Sequence, residues 1–355
     1  MDNPYLDLPA KAFWRTAVAD RDMMEISGLW APKFPIQKNT RIATFGSCFA
    51  QHFGRSLRAK GFGWFDAEPA PRYLEASNKK RFNYEVFSAR TGNVYTTSQL
   101  KQWAAWAMGA STPPREMWEK NGRFYDPFRP RIEPNGFETV RELERARDVT
   151  IEAVNLCARR ANVFVFTMGL TEAWFNKAGG YEYPMCPGTA GGEFDDKKHV
   201  FERQSYDTVL TNLREAIALL RGLNQNLNFL LTVSPVPLTA TNSGGHVLAA
   251  TSASKAILRA VAETVSQENA FVDYFPSYEI INAPVFKGAF FEKNLRSVSQ
   301  AGVDFVMKSF FESLGDAPDA PTKAEMVHVG TTDKMDDLLC DEELLSAFAP
   351  AAKKP

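Results

Sequence analysis

Short apolar runs alternate along this chain with longer segments of helical period. Arg41-Ile42-Ala43-Thr44-Phe45, Asn162-Val163-Phe164-Val165-Phe166-Thr167, Phe229-Leu230-Leu231-Thr232-Val233 and Ala270-Phe271-Val272-Asp273-Tyr274 are nearly continuous hydrophobic stretches, the first three closed by Gly46, Gly169 and Pro235. Runs of this kind predict strands covered on both faces, as in a parallel sheet. Between them, helical spacing predicts a helix over Phe49 to Lys60, ended by Gly61. It predicts another along Leu143, Ala146, Val149, Ala153 and Leu156, and a third along Tyr206, Val209, Leu213, Ile217 and Leu220. Lys255 to Thr264 reads as helix, and Val303, Val306 and Phe310 mark one more. The alternation predicts an α/β protein, a three-layer α/β/α sandwich with a mainly parallel sheet. Right-handed crossovers then bring the strand ends to one edge, where sites in such folds are built.

Two regions do not follow the alternation. About 64–135 and 179–201 are rich in Pro, Gly and aromatic residues, and read as insertions over the site edge. The organisation expected is an N-terminal extension over 1–40, an α/β domain over 41–315 and a C-terminal extension over 316–355, with a frayed tail from Ala349 to Pro355.

Composition narrows the function classes. Of 355 residues, 45% are apolar and 27 are Phe, enough for a thick aromatic core. A formal net charge of −1 provides no field of one sign, which argues against nucleic acid and an anionic membrane surface and for a neutral or small-molecule substrate. The four cysteines, Cys48, Cys157, Cys186 and Cys340, are widely spaced and form no Cys-x-x-Cys pair. With no signal-peptide pattern and no run of about 20 apolar residues, a cytoplasmic protein is expected. No Gly-x-Gly-x-x-Gly or phosphate loop appears, so no nucleotide cofactor is expected. His199 with Asp195 and Asp196 matches no standard ligand spacing, so no metal is expected either.

The candidate chemistry centres on Gly46-Ser47-Cys48, where a strand hands over to a helix. Backbone N–H groups and the helix dipole favour an anion there, which suits a nucleophile and a developing oxyanion. The plainer reading is that Ser47 caps the helix and Cys48 is a small buried apolar residue.

A family resemblance bears on the choice. "FGSCFA" (Phe45 to Ala50), "FSARTGNVYT" (Phe87 to Thr96), "FTMGLTEAW" (Phe166 to Trp174), "CPGTAGG" (Cys186 to Gly192), "LTVSPVPLTAT" (Leu231 to Thr241), "SKAIL" (Ser254 to Leu258) and "YFPSYEI" (Tyr274 to Ile280) occur in order. Together they resemble the GSCFA-domain family, which is similar to the SGNH hydrolases, the GDSL-type esterases and acetyltransferases. The resemblance implies an SGNH-like sandwich with flavodoxin-like strand order. Laid on that superfamily's Gly-Asp-Ser block, Gly46 falls on its Gly and Cys48 on the nucleophilic Ser. Ser47 stays open as the alternative if the turn rotates by one residue.

Further roles follow only from the resemblance. Gly92, with Arg90 and Asn93, would stand where a second block offers an oxyanion N–H; otherwise Gly92-Asn93 is a hairpin turn joining Phe87 to Tyr95. Gly169-Leu170-Thr171-Glu172 falls on Gly-x-Asn-Asp, so Thr171 would replace an Asn oxyanion donor. Glu172 would position a loop or a substrate hydroxyl, or else be a carboxylate at a helix start. The superfamily's general base sits in Asp-x-x-His before the last helix, and here that segment reads Asn294-Leu295-Arg296-Ser297.

Asn does not ionise, and a Ser hydroxyl is no general base at neutral pH. His52 lies one helical turn from Cys48, and His328 belongs to the C-terminal extension. His199 and His246, in Gly-rich segments flanking the site edge, are the expected substitutes for the base. The function expected is acyl-ester chemistry, an esterase or O-acyltransferase on a carbohydrate or polyol. Trp103, Trp106 and Trp118 would be sugar-stacking aromatics, or, for the first two at their helical spacing, core. The alternative is a non-catalytic glycan- or partner-binding descendant.

Overall fold

In the computed structural model, residues 3–316 and 341–350 are described. His328 and Cys340, most of the C-terminal extension and the last five residues of the expected tail lie outside them. The strands are β1 (Ile42–Gly46), β2 (Trp118–Lys120), β3 (Arg123–Tyr125), β4 (Val163–Met168), β5 (Glu172–Asn176), β6 (Glu182–Tyr183), β7 (His199–Arg203), β8 (Asn228–Val233) and β9 (Val272–Tyr274). The helices are α1 (Cys48–Ala59), α2 (Ala76–Arg81), α3 (Thr97–Ala107), α4 (Val140–Arg160), α5 (Tyr206–Leu223), α6 (Val247–Glu268), α7 (Ser277–Asn282) and α8 (Gln300–Ser313).

Four strands form the central sheet in the order β1-β4-β8-β9, all parallel. Outside β1, Trp64 makes a single parallel bridge to Ile42, so the position of a fifth strand is held by one residue pair. Counting that bridge, the order is the 2-1-3-4-5 of flavodoxin-like sheets, with the second strand reduced to a bridge.

The strand residues alternate between two cores, as a period of two requires. Ala43, Phe45, Phe164, Phe166, Phe229 and Leu231 pack with residues of α3, α4, α5 and α6. Ile42, Val163, Val165 and Leu230 face the other way, into a core with α1, α7 and α8. The sandwich is therefore three-layered, as the alternation predicted. The segment before β1 belongs to the second core. Trp30 stacks on Phe310 at 5.3 Å, and its indole N–H donates to Asp273.

Two expectations shift in detail. The insertion over 64–135 contains α3, which is buried against α5, so Trp103 and Trp106 are core and offer no surface to a sugar. Trp118 is buried too, beside Tyr183. The face of α4 is rotated from the expected one. Leu143 and Ala153 are buried, but Val149 is exposed and Arg147 and Thr150 point inward. The reason is Asp126, fully buried in the insertion, whose carboxylate accepts from Arg129 and Arg147. Those guanidiniums hold its carboxyl below the usual range against the opposing effect of burial. An apolar-period reading has no way to see a buried ion cluster chosen by a distant loop.

Candidate functional site

The carboxyl ends of β1 and β4 set the site. β1 runs into Gly46 at φ 133°, where a Cβ would collide with the backbone of Thr167, so only glycine lets the two strand ends close. Ser47 is the N-cap of α1 in an extended conformation, and Cys48 begins the helix. The Ser47 amide donates to Thr167 O at 3.0 Å. Its hydroxyl makes no capping bond, and it is buried with no hydrogen-bond partner among the described residues. The capping explanation of Ser47 thus covers the backbone but not the side chain. Cys48 is buried at the positive end of the α1 dipole.

Gly169 brings the next loop against this turn. A Cβ there would lie 3.2 Å from Ser47 Cβ and 3.0 Å from the Tyr95 ring, so its hydrogen permits the close approach. Its amide donates to Tyr95 O, and its carbonyl accepts from Lys255 Nζ at 2.7 Å. The neighbouring Ser254 hydroxyl accepts from the Thr171 amide at 3.1 Å. Ser254 and Lys255 of α6 therefore pin the Gly169–Thr171 turn.

Lys255 is the group that residue-type reasoning missed. It is 1% exposed. Burial pulls its amine down to about 8, while Glu342 and the Cys48 thiol act to raise it and Arg296 to lower it. An amine poised near neutrality and influenced by Glu342 and by a cysteine at a helix start is a candidate proton acceptor. The signal was available: Lys255 shares the buried face of α6 with Leu258, Ala262 and Val265, where a lysine is out of place unless it has a purpose-built partner.

The expected base segment is placed differently. Asn294 Oδ1 accepts from the amides of Arg296 and Ser297, and its Nδ2 donates to Ser297 Oγ at 2.9 Å. The two replacement side chains close an exposed turn on each other. Leu295, at φ 53°, projects into solvent. The residue this turn sends inward is Arg296, paired with Glu342 at 3.5 Å and Glu343 at 3.4 Å.

Neither expected substitute histidine is brought to Cys48. His199 Nδ1 accepts from the Asp195 amide, its ring stands edge-on to Tyr183, and its charged neighbours are Glu116, Asp195, Lys198 and Lys177. Burial, first among its influences, lowers its pKa. His246 is the exposed N-cap of α6, its Nδ1 accepting from the Leu248 amide. His52 is buried against Phe49, and burial followed by Arg55 pulls it down to about 4, so it is neutral and a weak base at working pH.

The second block holds structure more than it lines the site. Arg90 is buried over the Tyr84 ring, and its guanidinium donates to Phe82 O and pairs with Glu68 and Glu133. Gly92 takes φ 70°, and an added Cβ there would meet open space. Asn93 links α1 to the C-terminal segment, accepting from Gln51 and donating to Asp341 at 2.7 Å. No strand pair joins Phe87 to Tyr95, so the hairpin reading is not what forms here. Glu172 opens strand β5 rather than a helix, and its carboxylate accepts from Thr241 at 2.6 Å, so it positions a loop.

A segment from Asp341 to Phe348, in 3-10 conformation, covers the site. The Asp341 amide donates to the Tyr95 hydroxyl, and Glu342 meets Arg296 and feels Lys255. Burial raises the carboxyls of both acids, with their basic partners opposing it. Beside them, β5, β6 and β7 form a three-stranded antiparallel sheet that walls a cavity of about 380 Å³. Among the described residues, no group of three or more His, Cys, Asp or Glu could hold a metal ion, and no helix is long and apolar enough to cross a membrane.

Fold and site together define a three-layer α/β/α protein with a cysteine heading its first helix at the carboxyl edge of a parallel sheet. The GSCFA family profile matches residues 41–310, most of the chain, and the protein belongs to that family. No curated protein and no solved structure matches it.

Proposed function

We propose that this protein carries out acyl-ester chemistry, as an esterase or an O-acyltransferase on a hydroxylated acceptor such as a carbohydrate, with Cys48 as nucleophile and Lys255 as its base. One observation carries the reading. The buried Lys255 amine donates to Gly169 O, in the turn packed against Ser47 beside Cys48, and burial draws it down to about 8.

In this scheme neutral Lys255 Nζ takes the proton of Cys48 Sγ. The thiolate attacks the acyl carbonyl carbon, and the carbonyl oxygen becomes an oxyanion facing the positive end of α1. Collapse of the tetrahedral species breaks the C–O bond and expels the alcohol, which takes the proton from Lys255. The acyl thioester left on Cys48 is then attacked by water or an acceptor hydroxyl, whose proton goes to Lys255 and from there to the departing thiolate.

Hydrolysis of p-nitrophenyl acetate that disappears in Cys48→Ala and falls at least tenfold in Lys255→Met supports this assignment. Activity that survives Cys48→Ala excludes Cys48 as nucleophile. The closed Asn294–Ser297 turn favours a second, binding-only reading, which stands if the unmodified chain is inert and Asn294→Asp with Ser297→His is inert as well.

A further inference from the structure

The cavity beside the Cys48 turn has a chemical character of its own. Its walls are Leu170, Trp174, Met185, Phe201, Leu238 and, from the covering segment, Leu345. It also reaches Tyr95, whose ring packs at Gly169 beside Ser47, and Glu342, which feels Lys255. Cys48 and Lys255 do not themselves line it; the cavity reaches their neighbourhood through Tyr95, Leu170 and Glu342.

Three carboxyls touch it, and each is already engaged by the protein. Glu172 accepts from Thr241. Glu182 accepts from Thr96 at 2.5 Å and from Ser98. Glu342 is paired with Arg296. Burial also pushes Glu182 up to about 7, against the pull of its hydroxyl partners, so much of its charge is gone at neutral pH. The rest of the lining is mostly aliphatic and aromatic, with Thr96, Gln99, Thr189, Thr241 and Asn242 as its uncharged polar members. A cavity of about 380 Å³ is at the lower end of the roughly 300–1,000 Å³ that enclose small organic ligands.

We propose that this cavity seats an unbranched aliphatic acyl chain of medium length, its carbonyl end leaving past Tyr95 and Leu170 toward the Cys48 turn and its tail between the β5–β7 sheet and the Asp341–Phe348 segment. The inference rests on the Cys48 reading for its orientation. It goes beyond that reading by naming the acyl group, a fatty-type chain in preference to acetyl.

Two measurements on the full chain test it. The first is a p-nitrophenyl ester series from acetate to octanoate. Each buried methylene is expected to raise kcat/KM about three- to fourfold. Ala240→Trp, which fills the cavity wall, is expected to lower the octanoate-to-acetate ratio at least tenfold. A flat series, or an unchanged ratio, overturns the proposal.

The second measurement needs no turnover. Cys186 lines the same cavity and is half-buried, its thiol pushed up to about 11 by burial. In Cys48→Ala, octanoate is expected to slow alkylation of Cys186 by N-ethylmaleimide at pH 7, followed by peptide mass spectrometry. Equal or stronger protection by tetramethylammonium, which has the charge and no chain, would make the cavity a cation site and overturn the proposal. Protection by octanoate in a protein that cleaves no ester supports the occupant and sinks the Cys48 chemistry. Ester cleavage without chain preference or protection sinks the occupant alone.

Discussion

Lys255→Met is the sharpest perturbation of this protein. The wild-type amine is buried, donates to Gly169 O and titrates near 8 instead of its ordinary 10.5. A displacement of that size corresponds to about 3 kcal/mol at about 1.4 kcal/mol per tenfold change in proton affinity. Its sign is set by proton counts. Below pH 8 both folded and unfolded chains hold the proton, and the folded chain bears the full cost of a buried charge. Between pH 8 and 10.5 the unfolded chain binds more protons than the folded one, so stability rises with pH across that window.

Methionine removes both the buried charge and the donor. At pH 7 relief of the charge opposes the loss of the bond to Gly169 O, which leaves a buried carbonyl unpaired at about 1–3 kcal/mol. Near-neutral stability is therefore expected at pH 7, and a deficit relative to wild type that grows by about 3 kcal/mol toward pH 10.5. Urea unfolding at pH 7 and 10.5 reads this directly. The coupling to Cys48 is read by iodoacetamide alkylation between pH 6 and 10, with each cysteine resolved by mass spectrometry. Lys255→Met should slow alkylation of Cys48 at pH 7, tenfold for each ~1.4 kcal/mol of thiolate stabilisation lost. Lys255→Arg should keep the thiolate but erase the inflection near pH 8. Identical Cys48 profiles in wild type and Lys255→Met would refute the assignment of Lys255 as its partner.

Four other outcomes follow from the same geometry. Glu342 acts to raise Lys255, so Glu342→Gln should move the Cys48 alkylation inflection to lower pH. Glu182, raised from 4.5 to about 7, contributes stability that is fully present below pH 4.5 and lost as pH climbs through 7. Glu182→Gln should gain about 3 kcal/mol relative to wild type between pH 4.5 and 8, measured by urea midpoints. Asp126→Asn leaves Arg129 and Arg147 buried without their carboxylate and should cost about 3–5 kcal/mol, seen as a lower urea midpoint at pH 7. Gly46→Ala drives a Cβ into the Thr167 backbone at a φ that L-residues rarely adopt, and should abolish soluble folded protein, checked by circular dichroism.

What the sequence determined by itself is what depends on neighbours along the chain. Apolar runs and helical periods located the four sheet strands and the main helices to within a few residues, except that α6 begins eight residues earlier than its apolar pattern shows. Gly46 marked the tight strand-to-helix turn and set Cys48 at its helical side. The ordered motifs led to the family, and the absence of Asp-x-x-His was plain in Asn294 and Ser297.

Tertiary structure decided what depends on distant partners. Asp126 turned the α4 face because a buried ion cluster outweighs an apolar stripe. His199 and His246 lie near the site in no sense that spacing could test, and both are held by local backbone amides. Lys255 comes within electrostatic range of Cys48 only through the fold, which sets its amine on Gly169 O and brings Glu342 of the Asp341–Phe348 segment into range as well. Secondary structure follows from short-range periodicity, whereas the electrostatics of a site are a sum over groups far apart in the chain, and only the fold brings those groups within range of one another.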